Sequence, residues 1–173
     1  MTAAEFLNTL AEDAAHAALM RCCGATNWVA GMLAARPFVD DANLFQTADR
    51  VWRGASPADV REALTHHPEI GAGIEALRAK FHSTASWSEG EQAGVGAADE
   101  ATLLALRDGN VEYHARFGHI FVVCATGKTA AQMLDLLRAR LPNEPEQELL
   151  NAAAEQGKIT RLRLAKLASD VAS

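Results

Sequence analysis

The clearest helical pattern in this chain lies near its C-terminus, in the stretches TAAQMLDLLRAR (residues 129–140) and EQELLNAAAEQGKITRLRLAKL (residues 146–167). Apolar residues recur there at intervals of three and four, which is the spacing of one face of an α-helix. Gly157 lies inside the second stretch and is a candidate interruption, because glycine weakens a helix interior. These stretches predict long helices and favour an all-α fold, a helical bundle.

Helical signals also dominate the chain upstream. The strongest start signal is Ser56-Pro57, an N-cap serine followed by proline at the first helical position. That helix should end near His66, since His67 precedes a proline and is biased away from helical angles. The predicted helices, in chain order, cover residues 3–21, a short stretch from Trp28 to Pro37, a stretch capped by Asp40 or Asp41, a stretch from Pro57 to His66, a stretch from Ser88, and residues 99–117.

The helix predicted over residues 99–117 contains a glycine near its centre and is followed by an apolar run. Gly109 weakens its centre. Residues 120–125 are apolar and are bounded by Gly118 and Gly127. One strand cannot form a sheet, so we interpret this run as a buried connector. The apolar positions expected in the helix include Leu103, Leu106, Val111 and Tyr113.

Length and composition restrict the class of protein. The chain has 173 residues, 49% of them hydrophobic, which predicts one globular domain over residues 1–173. A net charge of −6 without a basic block argues against nucleic acid as the main partner. No apolar run is long enough to cross a membrane, so no membrane partner is expected.

Location and metal binding are inferred from what the sequence lacks. The three cysteines, Cys22, Cys23 and Cys124, have no Cys-x-x-Cys spacing and predict free thiols in a reducing compartment. We find neither a signal-peptide pattern nor a C-terminal Ser-Lys-Leu signal, so the cytoplasm is the expected location. The histidines show no metal-ligand spacing, so no metal site is expected.

His67-Pro68 is the first candidate for chemistry. A histidine just past a helix end lies at the negative end of the dipole, which favours the imidazolium and suits proton transfer. The alternative is a surface histidine in a turn, and from this dipeptide alone that alternative is favoured.

Ser88-x-x-Glu91-Gln92 is the second candidate. Ser-x-x-Glu is a capping box, in which Ser88 caps a helix and Glu91 bonds back to its backbone. The same helix start offers backbone N–H groups to an anionic ligand, and the Gln92 amide can donate and accept. The residues favour the two interpretations equally.

Two further segments are candidates with an ordinary structural alternative. Gly118 suggests a tight turn with close backbone approach, after which the buried run could present backbone groups to a flat polar ligand. The alternative is a helix end followed by core. Arg161-Leu162-Arg163 places two arginines on different helix faces, so one could bind a carboxylate; the alternative is a solvated charged face.

Taken together, these segments resemble a known family. In order and spacing, the chain is similar to 2-oxo-4-hydroxy-4-carboxy-5-ureidoimidazoline (OHCU) decarboxylase, which forms (S)-allantoin after urate oxidation and hydrolysis. The matching segments are Trp28 through Arg36-Pro37-Phe38, Trp52, His67-Pro68-x-Ile70-Gly71, Ser88-x-x-Glu91-Gln92-x-Gly94, Asn110-x-x-Tyr113-x-x-Arg116-Phe117-Gly118-x-x-Phe121, and Ile159-x-x-x-Arg163-Leu164.

The resemblance implies an all-α homodimer that needs no cofactor and takes a small anionic substrate. It implies that His67 is the proton donor. One departure is His119-Ile120, where the family more often has Phe-Pro, and this bears on how the buried run presents its backbone. The substrate-contacting positions implied are Pro68, Ser88, Glu91, Gln92, Phe121, Val122, Val123, Cys124, Ala125 and Arg163.

A mechanism follows as a hypothesis. Arg163 and the helix start at Ser88 hold the anion, Gln92 orients the ring, and His67 protonates one face after loss of CO₂. Glu91 acts as a second catalytic residue that positions the hydroxyl or disfavours the nearby carboxylate by like charge. Two alternatives stay open: a lyase or hydrolase acting on a related ureido compound, and a non-catalytic binding module on the same fold.

Overall fold

The computed structural model describes residues 1–67 and 95–167, with the backbone alone for residues 95–99. This part of the chain contains helices and no strand, which confirms the predicted all-α class. The helix predicted from Ser88 lies outside the described residues. The helices are α1 (Ala3–Thr9), α2 (Glu12–Cys22), α3 (Thr26–Ala34), α4 (Asp41–Arg53), α5 (Pro57–Thr65), α6 (Val95–Phe117), α7 (Ala130–Arg140) and α8 (Pro145–Lys166).

The N-terminal helix predicted over residues 3–21 is wrong as a single element, because the structure divides it into α1 and α2. Thr2 begins α1 with a capping box, and Leu10 ends it in an extended conformation. Glu12 and Asp13 then lie in the first turn of α2, where carboxylates favour a helix start. No glycine or proline marks this break in the sequence.

The capping predictions for α4 and α5 are confirmed. Asp40 caps α4, and its side chain accepts a hydrogen bond from the backbone N–H of Asn43 at 2.7 Å. Ser56 caps α5 through a capping box with Asp59, and Pro57 lies at the start of the helix. The sequence therefore predicts correctly where the helix that carries His67 begins.

Gly109 and Gly157 lie inside helices without interrupting them. A Cβ at Gly109 would lie 2.4 Å from Cδ2 of Leu137, so glycine allows α6 and α7 to approach closely. A Cβ at Gly157 would lie 3.3 Å from Cδ1 of Trp52 on α4. The predicted interruption at Gly157 is wrong, because α8 runs continuously through it.

The chain divides into two compact units, and the first comprises the described residues 1–67 and 149–167. Its indole N–H groups are paired: Trp28 donates to the carbonyl of Ala48 at 3.2 Å and Trp52 to that of Ala153 at 2.8 Å. The core of this unit consists of Ala3, Ala4, Leu7, Ala18, Leu19, Cys22, Cys23, Ala25, Trp28, Val29, Met32, Phe38, Leu44, Ala48, Ala63, Leu164 and Leu167.

The second unit comprises the described residues 95–148. Val111, expected among the apolar positions of α6, is 64% exposed, and that expectation is wrong. The run at residues 120–125 has no regular secondary structure, and the side chains of Phe121, Val122 and Val123 within it are buried, so the predicted buried connector is confirmed. The core of this unit consists of Leu103, Leu106, Tyr113, Phe117, Phe121, Val123, Met133, Leu134 and Leu137.

Within residues 1–67 and 95–167, no helix has both the length and the apolar character needed to cross a bilayer.

Candidate active site

His67 lies two residues beyond α5, as the sequence predicts. Its backbone N–H donates to the carbonyl of Leu64 at 3.3 Å, and that of His66 donates to Ala63 at 3.2 Å. These bonds satisfy carbonyls in the last turn of α5. The backbone of His67 therefore lies at the negative end of a helix dipole.

Gly24 allows the end of α5 to pack against the end of α2. A Cβ at position 24 would lie 2.3 Å from Cγ of His66, a separation that side-chain atoms do not reach. Glycine is therefore required here for space. Because His66 immediately precedes His67, this contact helps to set where the His67 backbone lies.

Carboxylates on α5 also attach it to the start of α3. Glu62 accepts two hydrogen bonds from Thr26, one from the hydroxyl at 2.5 Å and one from the backbone N–H at 3.1 Å. Asp59 accepts from Nδ2 of Asn27 at 2.7 Å. The Ser56 hydroxyl and backbone N–H, followed by Asn27, lower the pKa of the Asp59 carboxyl against the opposing effect of burial.

A chain of buried polar side chains leads away from His67, and we call it the polar chain: His67, Gln156, Thr160 and Cys23. Nε2 of His67 is hydrogen-bonded to Oε1 of Gln156. Nε2 of Gln156 donates to Oγ1 of Thr160 at 3.0 Å, and Thr160 lies beside the Cys23 thiol, whose pKa it lowers. Gln156 and Cys23 are fully buried and Thr160 is 5% exposed, so these bonds are shielded from water.

Burial raises the pKa of the Cys23 thiol. The Ala25 backbone, Thr160 and the charge of Arg163 lower it to a smaller extent, while Glu62 adds to the increase. Cys23 is therefore a neutral thiol at physiological pH. It ends the polar chain as a weakly polar group.

Arg163, the predicted anion-binding residue, is half-buried on α8 in the same unit as His67. Its Nη1 donates to the carbonyls of Arg21 at 3.2 Å and Cys22 at 3.5 Å, at the end of α2. A cation is favourable at that helix end. The structure thus brings His67 and Arg163 to one cluster, His67 at one end of the polar chain and Arg163 near Cys23 at the other.

The predicted segment Phe121, Val122, Val123, Cys124 and Ala125 lies in the second unit. Its first three side chains are buried, and those of Phe121 and Val123 belong to the core. The carbonyl of Val122 accepts from Nη1 of Arg140 at 2.6 Å, and that of Cys124 from Nζ of Lys128 at 2.8 Å. These two carbonyls stabilise the connector itself.

His119 occupies an aromatic position. It is 6% exposed, stacks against Phe117 with ring centroids 6.1 Å apart, and meets the edge of Tyr113 at 5.6 Å. Its Nδ1 is within 3.1 Å of the Ile120 carbonyl. The histidine thus supplies a flat ring to this cluster at the point where the sequence departs from the Phe-Pro pattern. Gly118, just before it, has a φ of +71°, which confirms the predicted turn, although no described atom lies within 4 Å of its Cβ position.

A buried carboxylate, Glu148, organises the second unit. Arg140 forms an ion pair with it at 2.5 Å, Asn143 donates to it at 2.9 Å, and the Tyr113 hydroxyl also donates to it. Burial alone would raise the pKa of Glu148, but these three donors and the Arg140 charge lower it below the usual range. Burial and the same carboxylate raise the pKa of the Tyr113 hydroxyl. Both groups thus keep their ordinary charge states at neutral pH.

The remaining predicted site residues, Pro68, Ser88, Glu91 and Gln92, lie outside the described residues. Among the residues that the structure does describe, no group of three or more His, Cys, Asp or Glu side chains could hold a metal ion.

The sequence analysis did not identify Gln156 as the hydrogen-bond partner of His67. It also did not identify Thr160 and Cys23, which follow Gln156 in the polar chain. A signal for two of them exists in α8. Ala152, Gln156, Thr160 and Leu164 recur every fourth residue and are all buried, so two polar residues interrupt an otherwise apolar helix face. A buried polar residue needs a partner, but the sequence does not say which.

Comparisons with known proteins match one family over most of the chain. The family model of OHCU decarboxylase matches residues 8–165. A crystal structure of OHCU decarboxylase in the presence of (S)-allantoin superposes with a TM-score of 0.69 at 34% identity, covering 87% of this chain and 96% of that one.

Two curated relatives differ in length. The uric acid degradation bifunctional protein TTL of Arabidopsis thaliana is 37% identical over 87% of this chain, which spans 46% of that protein. The 2-oxo-4-hydroxy-4-carboxy-5-ureidoimidazoline decarboxylase of Amia calva is 31% identical over 78% of this chain and 76% of its own length. On the family match over residues 8–165, the chain belongs to the OHCU decarboxylase family.

Proposed function

We propose that this chain decarboxylates OHCU to (S)-allantoin in urate degradation. The observation that carries the proposal is the setting of His67: a histidine at a helix end, bonded on one ring nitrogen to a buried amide. Family membership and the likeness to a solved structure obtained with (S)-allantoin support the same reaction.

The reaction breaks the bond between a ring carbon and its carboxylate. CO₂ leaves, and the electron pair delocalises into the adjacent carbonyl or ring nitrogen, so the chemistry does not require a metal or pyridoxal cofactor. A proton from the His67 imidazolium then adds to one face of the neighbouring carbon, which bears the ureido group, and makes the product the S isomer. The hydroxyl proton of the decarboxylated carbon passes to the ring nitrogen, and that carbon becomes a carbonyl. The neutral imidazole recovers its proton from water.

Arg163 is the proposed anion-binding group among the described residues. A guanidinium carries five N–H donors, and both bonds to the end of α2 are made by Nη1, so Nε and Nη2 can be offered to a carboxylate. We assign Ser88 to the same anion, Gln92 to the ring and Glu91 to the hydroxyl, with Pro68 beside His67. The segment from Phe121 to Ala125 is proposed to contact substrate through its backbone, since its leading side chains serve the core.

We further propose that the protein is a cytoplasmic homodimer with a small anionic substrate and without nucleic-acid or membrane partners. The free cysteines support the location, and the net charge of −6 argues against a nucleic-acid partner. The homodimer rests on the family resemblance.

The test supplies OHCU freshly generated by urate oxidase and the hydrolase, and follows the product by circular dichroism. We expect a signal of (S)-allantoin that grows with enzyme concentration, above the racemic product of spontaneous decay. A panel of related ureido compounds, assayed in parallel, separates this activity from another lyase or hydrolase. Binding of OHCU without turnover would instead assign the chain a non-catalytic role and overturn the proposal.

A further inference from the structure

Both ends of the Gln156 amide are hydrogen-bonded, one to Thr160 and the other to His67. Gln156 is fully buried, so water does not compete for either bond.

The bond to Thr160 fixes the orientation of the Gln156 amide. Its Nε2 donates to Oγ1 of Thr160 at 3.0 Å, so its Oε1 faces His67. A carbonyl oxygen accepts hydrogen bonds and cannot donate them. Nε2 of His67 must therefore carry a proton to bond with it.

We propose that Gln156 is a positioning residue that keeps a proton on Nε2 of His67, so that the proton given to the substrate leaves from Nδ1. This inference rests on the proposed role of His67 as proton donor. The imidazolium carries protons on both nitrogens. Transfer from Nδ1 to the substrate carbon leaves a neutral ring whose Nε2–H stays bonded to Gln156, and Nδ1 then takes a proton from water.

The other titratable groups near the polar chain lie at its Cys23 end or next to His67 in the sequence. Arg163 and Glu62 influence Cys23 with opposite sign, and Cys23 is itself a neutral thiol. His66 is the chain neighbour of His67 and packs against Gly24. Changing Gln156 therefore alters the bond to His67 without altering any of these charges.

The first test reads the proton position directly in the 173-residue chain. Nitrogen-15 spectra of the His67 ring, assigned by their loss in His67→Asn, report which nitrogen is protonated in the neutral form. We expect a proton on Nε2 that exchanges slowly with water, and loss of that slow exchange in Gln156→Leu. A neutral ring protonated on Nδ1 in the wild type would overturn the inference.

The second test is the pH dependence of kcat, since a donor must be protonated and turnover falls as pH rises through its pKa. Gln156→Glu places a carboxylate against Nε2 and should move the basic limb upward by about 1–3 pH units. Gln156→Leu removes the acceptor and should move that limb downward, with KM little changed. An unmoved profile in both variants would contradict a positioning role.

Gln46→Leu is the matched control, because it makes the same substitution at an exposed helical position. We expect it to leave kcat and its pH profile unchanged. If Gln156→Leu does not fold, Thr160→Val supplies the second variant: it frees the amide to turn and should shift the limb in the same direction as Gln156→Leu, but less.

The inference and the proposed function fail in different ways. Absence of (S)-allantoin production by the wild type would remove the proposed function, and full production by His67→Asn would remove the role of His67 as proton donor. In either case the nitrogen spectra would still decide whether Gln156 sets the proton position. An inactive His67→Asn combined with unchanged spectra and pH profiles in the Gln156 variants would remove the positioning role alone.

Discussion

In the part of the chain that the structure describes, each buried polar side chain has a hydrogen-bond partner. Gln156 and Thr160 interrupt the apolar face of α8 and bond to His67 and to each other. Glu148, at the start of the same helix, is fully buried and bonded to Arg140, Tyr113 and Asn143. Among the described residues, no buried side-chain nitrogen or oxygen is left without a hydrogen-bond partner.

Because each buried polar group costs free energy when unpaired, removing one partner should be more harmful than removing both. Arg140→Met leaves the Glu148 carboxylate buried without its cation, and we expect it to lower the free energy of unfolding by about 3–5 kcal/mol. The double variant Arg140→Met with Glu148→Gln should lose less than the sum of the single variants. Urea titration of all four proteins measures this coupling, and strictly additive losses would contradict it.

The sequence could predict candidate residues better than their partners. His67 and Arg163 stand in recognisable segments, whereas His67 and Gln156 are 89 residues apart in the chain. Such a contact depends on how α5 packs against α8, which local periodicity does not specify. Cys23 is the hardest of these residues to predict, because in the sequence it is one of three cysteines without a Cys-x-x-Cys spacing.

At the scale of the helix, local chemistry determines where most elements begin and end. Asp40 and Ser56 cap the helices that the sequence assigns to them. The break between α1 and α2 was not predictable from breaker residues, because Leu10 and Ala11 are neither glycine nor proline. Tertiary packing decides such a break against local helix propensity.

Glycines between and within helices control how closely the elements pack, and Gly24 offers a direct test. Gly24→Ala places a Cβ against the ring of His66, so we expect a loss of about 1–3 kcal/mol of stability and a fall in kcat as His67 shifts. Thermal unfolding and the circular dichroism assay measure the two effects.

Gly54→Ala is the matched control for this prediction. Gly54 has φ −85° and ψ −1°, and its Cβ would meet only the carbonyl oxygen of Val51 at 3.5 Å, an ordinary contact. We expect this variant to keep its activity and to be as stable as the wild type or more stable. Equal effects of the two substitutions would show that space at Gly24 does not matter.

At the scale of the whole molecule, hydrophobic periodicity was sufficient to predict an all-α protein with a buried connector at residues 120–125. It was not sufficient to reveal the two compact units, because these are defined by long-range contacts. The assignment of residues 1–173 to a single domain stays a prediction. The roles of Ser88, Glu91 and Gln92 stay predictions as well.

The free energy of unfolding should depend on pH in the acid range because of the buried Glu148 carboxylate. The pKa of Glu148 is lowered in the folded state, so its contribution is complete above the unfolded pKa of about 4.3 and is lost as pH falls below it. Glu148→Gln should therefore be less stable at neutral pH and show a flatter decline in acid. Unfolding followed by far-ultraviolet circular dichroism between neutral and acidic pH measures this slope.

Glu146→Gln is the control for acid stability, since Glu146 is exposed in the first turn of the same helix. It should keep the acid dependence of the wild type. A slope in Glu148→Gln as steep as that of the wild type would show that another group causes the decline.

The stereochemistry of the product tests the role of His67 most directly. Wild type and His67→Asn are given freshly generated OHCU, and the circular dichroism of allantoin is followed against spontaneous decay. General acid catalysis contributes about 10²- to 10⁴-fold, so we expect His67→Asn to lose at least that much (S)-allantoin formation while remaining folded. Production of (S)-allantoin by His67→Asn at the wild-type rate would contradict the central role of this histidine.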